Sequence, residues 1–402
     1  MKLIKLSLVG ISLTGLLTSS AFSANTLVEA IQNSELDGVL KQVYRQKKEN
    51  GERVKDGFSI GGRLEGTTED FYGFTINFGF QTSVTPDIFV HNTDENSNVN
   101  IDNSMAQDRT NMHLLNLNYS FGDTEITAGR FFIKTPLVKN RSSRVLKDFN
   151  DGMYLSTLII PNTELIIGGI KRWYGIDEDD DIDYDSPLYT IYLNSTFGPL
   201  DITAQANYNS SKKSAVEDKT KDYYLEAQYK IQSALPITLG AQFIGFSEVD
   251  NEDAANSYGA MAKIKLPKGF GLATHYTKIS KNNGEVRGGV GESADPNYNS
   301  MIITDANEKG YEALRGTIYY KGFGFNAELY YANFNRHYEG KASKMYKDNE
   351  KIKEIGLEAK YKFKGMFKGL SFETKIAKAN KDVGDGTKER ETQFRWYTQY
   401  KF

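Results

Sequence analysis

The sequence predicts an all-β protein, a transmembrane antiparallel β-barrel of about 18 strands with short periplasmic turns and long extracellular loops. Three observations predict it. Apolar and polar residues alternate through most of the chain after residue 34. Short connections and long connections between these segments alternate along the chain. The chain also ends on an aromatic residue inside such a segment.

The alternation has the period of a β-strand, which places successive side chains on opposite faces. From Tyr189 to Phe197 most residues at every second position are apolar. The same pattern resumes after a turn at Gly198–Pro199 and continues to Tyr208. Segments of roughly ten residues, at ~3.3 Å per residue and a tilt near 45°, would each cross about 24 Å of hydrocarbon. The pattern therefore fits strands with one face in lipid and one in water.

The connections differ in length between the two ends of the predicted sheet. The short ones are Gly122–Asp123, Pro161–Thr163, Gly198–Pro199, Pro267–Gly269 and Lys321–Gly324. The long polar ones are Ser83–Thr110, Lys134–Asn150, Tyr174–Ser186, Lys281–Lys309 and Arg336–Lys351. Transmembrane barrels have this asymmetry, whereas a soluble sandwich has no need of it.

The last strand explains the aromatic C-terminus. Trp396, Tyr400 and Phe402 share one face with Phe394, which we expect to meet lipid, while Arg395 lies on the opposite, wet face. An open sheet edge in lipid costs several kcal/mol for each unpaired backbone group. We therefore expect the strand that ends at Phe402 to close the sheet against the first strand.

Composition excludes some functions. A net charge of -3 gives no basic field for nucleic acid, and the absence of cysteine excludes disulfides and thiol chemistry. The mean hydropathy of -0.52 would suit a soluble protein. It also suits a barrel, in which only alternate residues meet lipid.

The first 23 residues have the layout of a secretory signal peptide. Lys2 and Lys5 precede an apolar run from Leu6 to Leu17, and the small residues Ala21 and Ser23 stand before a cut ahead of Ala24. A membrane anchor is the alternative, but the run is short for a spanning helix. The predicted division is a signal peptide at 1–23 and a barrel domain at 24–402.

Three segments resemble OprD-type porins (outer membrane porin D) and the related epsilonproteobacterial major outer-membrane porins. They are "LVEAIQNSELDGVL" from Leu27, "GFSIGGRLEGTTEDFYGFTINFGF" from Gly57, and "AGRFFIKTPLVKNRSSRVLKDFNDGMYL" from Ala128 followed by "IPNTEL" from Ile160. The resemblance implies an 18-stranded barrel, passive uptake of small hydrophilic solutes, an inward-folded third outer loop that narrows the pore, and a homotrimer.

The segment at about 134–150 is the candidate for that inward loop. Its apolar residues Leu137, Val138, Val145 and Leu146 could dock on the inner wall. Its charged side chains would then form a band of mainly positive charge in the channel. The predicted constriction residues are Arg130, Lys134, Lys139, Arg141, Arg144, Lys147 and Asp148. The alternative is an ordinary solvated outer loop.

Strand parity predicts which charged residues line the pore. They are Arg63, Glu65, Lys230, Arg315, Glu328, Glu358, Lys360 and Arg395, with Lys263, Glu373 and Lys375 also inward. Both signs occur. Opposed acidic and basic walls would set up a transverse field that orients dipolar solutes such as amino acids, while the permeant and the preference for cations or anions stay open.

No catalytic or metal motif emerges. The four histidines, at 91, 113, 275 and 337, have no metal-site spacing, and neither a nucleophile elbow nor a phosphate-binding loop is present. The acidic run at 177–185 offers oxygen ligands for Ca²⁺, but its spacing fits no EF-hand, so a solvated loop is the simpler interpretation. We expect neither enzyme activity, nor a cofactor, nor a resident metal.

These patterns favour a bacterial outer-membrane porin for small hydrophilic solutes and ions. The alternative is a plugged barrel that serves as a surface structure or adhesin. The expected partners are outer-membrane lipid and lipopolysaccharide, the permeating solutes, further copies of the chain, and the barrel assembly machinery, which would read the C-terminal strand.

Overall fold

The computed structural model describes residues 24–86, 100–102, 105, 108–140, 143–176, 181–210, 220–246, 255–280, 296–306, 310–336, 350–382 and 387–402. The predicted signal peptide, residues 1–23, lies outside them. The described residues begin with a short helix, α1 (Leu27–Gln32), in which Thr26 accepts a hydrogen bond from the Glu29 amide and caps the N-terminus.

Eighteen described strands form the barrel. The first nine are β1 (Glu35–Glu49), β2 (Glu52–Thr67), β3 (Phe74–Val84), β5 (Arg109–Phe121), β6 (Thr124–Phe131), β7 (Phe149–Thr157), β8 (Thr163–Tyr174), β9 (Ile182–Phe197) and β10 (Leu200–Asn209). The others are β11 (Thr220–Ile231), β12 (Ile237–Phe246), β13 (Ala255–Lys265), β14 (Phe270–Ile279), β15 (Tyr311–Gly322), β16 (Phe325–Arg336), β17 (Lys351–Lys362), β18 (Leu370–Asp382) and β19 (Lys388–Lys401). The two-residue β4 (Asn100–Ile101) pairs in parallel with β2 and is not a barrel strand.

Each barrel strand pairs antiparallel with its neighbours in the chain, and the sheet closes where β1 meets β19. At this seam the Gly38 amide donates to the Phe402 carbonyl at 2.9 Å, and the Phe402 amide donates to the Gly38 carbonyl at 3.1 Å. The predicted class, a closed 18-stranded antiparallel barrel with almost no helix, is confirmed. No described helix is both long and apolar enough to cross a membrane.

The two faces of the wall differ as the alternation predicts. On β15 the outward side chains of Leu314 and Ile318 are 56% and 54% exposed, whereas the inward Ala313 and Thr317 are 1% and 5% exposed. An apolar outer surface of this kind, continuous around a closed sheet, is the surface that a bilayer covers.

Aromatic residues collect at one end of the barrel, where β19 finishes. Tyr400 and Phe402 stack at 5.8 Å, and Phe372 on β18 lies 5.6 Å from Trp396. The Trp396 indole donates to Thr398 at 3.0 Å. Tyrosine and tryptophan rings, which carry a hydroxyl or an indole N–H, suit the boundary between hydrocarbon and water.

The connections at this end span two to seven residues, and we call it the turn end. They include two 3₁₀ turns, Pro267–Gly269 and Gly365–Phe367. The opposite, loop end carries the long connections, as predicted, but not exclusively. Its first connection is the tight turn Asn50–Gly51, where both residues adopt positive φ.

Close strand approach at one glycine gives a test of the fold. A Cβ on Gly61 of β2 would lie 2.0 Å from the Thr82 carbonyl oxygen on β3, whereas a Cβ on Gly316 would meet nothing within 4 Å. We expect Gly61→Ala to destabilise the barrel by about 1–3 kcal/mol because backbone must shift. The measurement is the temperature at which the folded gel band of the detergent-refolded protein converts to the unfolded band. The matched control is Gly316→Ala, and equal temperatures for the two variants would contradict the register.

Candidate functional site

The candidate site is the lumen, which the inward faces of the strands line. The structure places all eight residues predicted to line the pore on the inward side of their strands. They lie on β2 (Arg63, Glu65), β11 (Lys230), β15 (Arg315), β16 (Glu328), β17 (Glu358, Lys360) and β19 (Arg395). Their role in permeation stays a prediction.

Most of these charges form ion pairs across neighbouring strands. Lys360 pairs with Glu373 at 2.6 Å, and Lys375 pairs with Glu358 at 2.6 Å. Lys230 pairs with Asp201. Such pairs neutralise one another at close range, so they shape the local field more than the net charge of the lumen.

Loop L3, of which the structure describes residues 132–140 and 143–148, enters the lumen between β6 and β7. Lys134 and Lys139 form an isolated bridge that closes a tight hairpin around Pro136, with Thr135 donating its amide to the Val138 carbonyl at 2.7 Å. The four apolar residues expected to dock the loop are all buried. Leu137, Val145 and Leu146 are fully inaccessible, and Val138 is 1% exposed.

Polar wall residues hold the same loop by its backbone. Lys41 Nζ donates to the Arg144 carbonyl at 2.8 Å, and Arg63 donates to the Val145 carbonyl at 3.1 Å. The Gln81 side chain clamps Lys147 from both sides: its amide donates to the Lys147 carbonyl at 2.8 Å, and its oxygen accepts from the Lys147 amide at 2.9 Å. Three strands, β1 to β3, therefore position one end of L3.

The predicted constriction residues in L3 occupy different environments. Lys134 and Lys139 are exposed, Arg144 is buried with its guanidinium donating to Ser143, and Asp148 is fully buried.

Lys147 lies 3.6 Å from Glu65 and 4.0 Å above the Phe132 ring. Burial and the nearby Arg63 guanidinium lower the pKa of Lys147 to about 8, against the opposing effect of Glu65. Arg141 lies outside the described residues.

Arg130 does not face the lumen. It pairs with Leu115 across β5 and β6, and Leu115 is 47% exposed on the outer surface. The Arg130 guanidinium donates to the Met112 carbonyl at 2.7 Å and lies 5.0 Å above the Tyr174 ring. The prediction that Arg130 lines the constriction is therefore wrong, because the strand register turns its side chain outward near the loop end.

A second segment also folds into the barrel, although the sequence pattern predicts only a long polar outer loop at this place. This segment, residues 296–306, is here called the strap. Gln242 donates to the Pro296 carbonyl at 2.7 Å, Ser257 donates to Asn297 Oδ1 at 2.6 Å, and Asn299 donates to Thr277 Oγ1 at 3.1 Å. Its apolar run, Met301 to Ile303 in a polar loop, was the signal available in the sequence.

Two wall carboxylates hold the strap. Glu354 on β17 accepts hydrogen bonds from the Ile303 amide at 3.1 Å, the Thr304 amide at 2.9 Å and the Tyr330 hydroxyl at 2.7 Å. Glu226 on β11 accepts from the Tyr298 hydroxyl at 2.5 Å. Burial and the Glu226 carboxylate raise the pKa of Tyr298 above its ordinary range, so this phenol stays a donor.

L3 and the strap both contribute side chains to one buried apolar cluster inside the barrel. Leu137 of L3 belongs to one buried cluster with Ile302 and Ala306 of the strap and with Phe334 and Ile352 of the wall. Val138 packs into a second cluster with Trp173 and Leu188, and Val145 packs with Val43 and Met105 in a third. Both segments thus pack against the inner wall of the barrel through buried apolar side chains.

On the turn side of these segments the lumen opens into a cavity of about 450 Å³. Both signs of charge line it, from Lys263, Arg315 and Lys360 to Glu328, Glu358 and Glu373. Arg315 also donates to His275 Nδ1, at 3.1 Å from one guanidinium nitrogen. That histidine must therefore carry its proton on Nε2 when it is neutral.

The acidic run is only partly described, since residues 177–180 lie outside the described part of the chain. Asp181 lies 3.2 Å from Arg172 and 3.7 Å from Arg109, and Asp183 lies 3.6 Å from Arg172. Within the residues that the structure describes, no three histidine or carboxylate side chains converge on a point that could hold a metal ion.

The chain is a closed barrel with an apolar outer belt and loops folded into a charged lumen, and it shares this fold with solved porins of the OprD/Occ type. The similar solved structures bear this out at the level of fold. OccK3 (OpdO) of Pseudomonas aeruginosa is 14% identical with a TM-score of 0.74, covering 94% of this chain and 97% of its own. OccAB3 of Acinetobacter baumannii is 12% identical with a TM-score of 0.77, covering 92% and 100%.

OpdK of Pseudomonas aeruginosa, solved with vanillate, is also 12% identical, with a TM-score of 0.74 over 92% of this chain and 99% of its own. No protein-family model and no curated protein matches the sequence. The resemblance noted from the sequence is thus supported by the shared fold.

The Gln81 clamp gives a test of how L3 is held. Gln81→Leu keeps the volume of the side chain but removes both hydrogen bonds to the Lys147 backbone, so we expect L3 to detach more often. Trypsin should then cut after Lys134 or Lys139 several-fold faster in the detergent-solubilised barrel. Gln42→Leu on the outward face of β1, opposite to the face that holds L3, is the control. Unchanged cleavage in Gln81→Leu would show that the clamp does not restrain the loop.

Proposed function

We propose that this protein is a passive diffusion channel of the bacterial outer membrane for small hydrophilic solutes. The observation that carries the proposal is the contrast between an apolar outer wall and a lumen lined by charged side chains around a cavity of about 450 Å³. A closed barrel of this size is wide enough to hold water unless loops fill it. The fold shared with OprD/Occ-type porins supports the same function.

We further propose that the preferred solutes are dipolar. Two lumenal charges, Lys263 on β13 and Glu164 on β8, form no ion pair within the described residues, and four strands separate β8 from β13 around the barrel. A cation and a carboxylate held apart on the lumenal wall give a field within the passage. A solute with both a carboxylate and an ammonium group would align with that field.

The second candidate is a plugged barrel that acts as a surface structure. The buried apolar cluster that includes Leu137 of L3 and Ile302 of the strap favours it, because residues of both inward segments take part in this cluster. The homotrimer, contacts with lipopolysaccharide, and recognition of the C-terminal strand by the barrel assembly machinery are part of the proposal for either function.

Conductance of the purified protein in a planar bilayer separates the two functions. A diffusion channel should give discrete current steps in potassium chloride whose size follows the salt concentration. The absence of steps, from protein whose heat-modifiable gel band shows that it is folded, would favour the plugged barrel.

Selectivity tests the role of the cavity charges. Arg315→Gln removes a lumenal cation, so the reversal potential in a salt gradient should move toward greater preference for cations. Glu328→Gln should move it the opposite way. The control is Lys278→Gln on the outward face of β14, which should leave the potential unchanged. Shifts of equal size and sign in all three variants would mean that the cavity residues do not set selectivity.

A further inference from the structure

Side-chain donors of the wall bind carbonyls of both L3 and the strap, among them Arg63 for L3 and Arg395 for the strap, but the strap also donates backbone amides to a carboxylate. At L3, the side chains of Lys41, Arg63 and Gln81 donate hydrogen bonds to backbone carbonyls. At the strap, the carboxylates of Glu354 and Glu226 accept hydrogen bonds from the loop. Acid leaves lysine and arginine charged but protonates carboxylates, so the two segments should respond differently to a fall in pH.

Glu354 is the main contact point. Its side chain is fully inaccessible, and its two oxygens together accept three hydrogen bonds, two of them from consecutive backbone amides of the strap. A carboxylate accepts at both oxygens, whereas a protonated carboxyl has one oxygen occupied by its own hydrogen. Protonation would therefore remove the charge that both strap amides bind and weaken the hydrogen bonds they donate, because bonds to a charged acceptor are the stronger kind.

The charged and titratable groups around Glu354 come from each element packed against it. Tyr330 on β16 donates to it directly. Arg395 on β19 donates to the Ile302 carbonyl, and Arg315 on β15 lies 3.6 Å from the Met301 sulfur. Within the strap, Asp305 accepts from the Ser300 hydroxyl at 2.6 Å and from the Met301 amide at 3.1 Å. Acid would weaken this internal turn as well.

Glu226 is the second contact point, at the other end of the strap. Besides Tyr298 it accepts from Tyr224 at 3.0 Å and from Gln228 at 2.9 Å on its own strand, and Lys263 on β13 acts on it electrostatically. Its contact with the strap is a hydroxyl donated to a carboxylate, a type of bond that is strong only while the acceptor is ionised.

We propose that the strap, residues 296–306, is a proton-operated gate whose latches are the carboxylates of Glu354 and Glu226. A proton from the solution binds a carboxylate oxygen, the hydrogen bonds from the strap amides weaken as the charge is lost, and the strap leaves the inner wall while L3 stays in place. The proposal rests on the channel function, because a wider lumen matters only if solutes pass through it.

Bilayer conductance of the full barrel tests the consequence for transport. Lowering the pH from 7 to about 4.5 should raise the open-channel conductance of the unaltered protein. Glu354→Gln, which cannot accept at both positions, should already show the higher conductance at pH 7 and respond little to acid. The matched control is Glu312→Gln on the outward face of β15, since Glu312 accepts from the Tyr276 hydroxyl but touches no part of the strap.

Hydrogen exchange in detergent tests the strap itself, without any variant and without conductance. Between pH 7 and about pH 4.5 the protection of the Ile303 and Thr304 amides, corrected for intrinsic rates, should fall by about tenfold or more, as expected for loss of one hydrogen bond to a charged group. Protection of the L3 amides should change far less.

The outcomes separate the two proposals. Strap protection that is the same at both pH values overturns the gate, whatever the conductance does. Strap protection that falls while the protein carries no current at either pH supports the latch and overturns the channel. Conductance that rises with acid equally in the unaltered protein, in Glu354→Gln and in Glu312→Gln would also overturn the gate, because the response would then come from other groups.

Discussion

Closure of the sheet is the constraint on which the rest of this structure depends. Hydrocarbon offers no partner to a backbone amide or carbonyl, so each strand must find one on both sides. The mutual hydrogen bonds between Gly38 and Phe402 complete that pairing. Once the sheet is closed, strand parity assigns every side chain to lipid or lumen. The low overall hydropathy then follows, because the inward half of each strand can be as polar as the outward half is apolar.

A closed barrel does not by itself set the shape of a pore. In this protein that shape depends on L3 and the strap, which fold into the lumen. A wholly polar loop would be hydrated equally well inside the lumen and outside the barrel. Such a loop would therefore gain no free energy by folding inward. Their buried side chains, Leu137 in one and Ile302 in the other, provide the apolar contact that holds them there. Wall residues then bind their backbones, which satisfies polar groups that the apolar packing has removed from water. The shape of the passage is therefore set by loop–wall chemistry, and it can change without any change in the barrel.

The sequence predicted the barrel well because period-2 alternation is a local property that survives in each strand. The strand count, the closing strand and the inward parity of Arg63, Arg315 and Arg395 all follow from it. Arg130 was misplaced because it lies near the end of β6, where both faces of the segment are mixed in polarity. The strap was missed because loops have no period, and their placement depends on distant partners such as Glu354 that no spacing reveals.

The distribution of lumenal charge connects these levels. Cross-strand pairs such as Lys375 with Glu358 follow directly from antiparallel register, and they cancel at short range. Charges that the register leaves without a close opposite partner, Lys263 among the described residues, act over longer distances across the lumen. Carboxylates that hold a loop are different again, because their charge is used in hydrogen bonds and is removed by protonation. One fold thus contains neutralised pairs in the wall, lumenal charges without a close partner, and carboxylates whose charge is used to hold a loop.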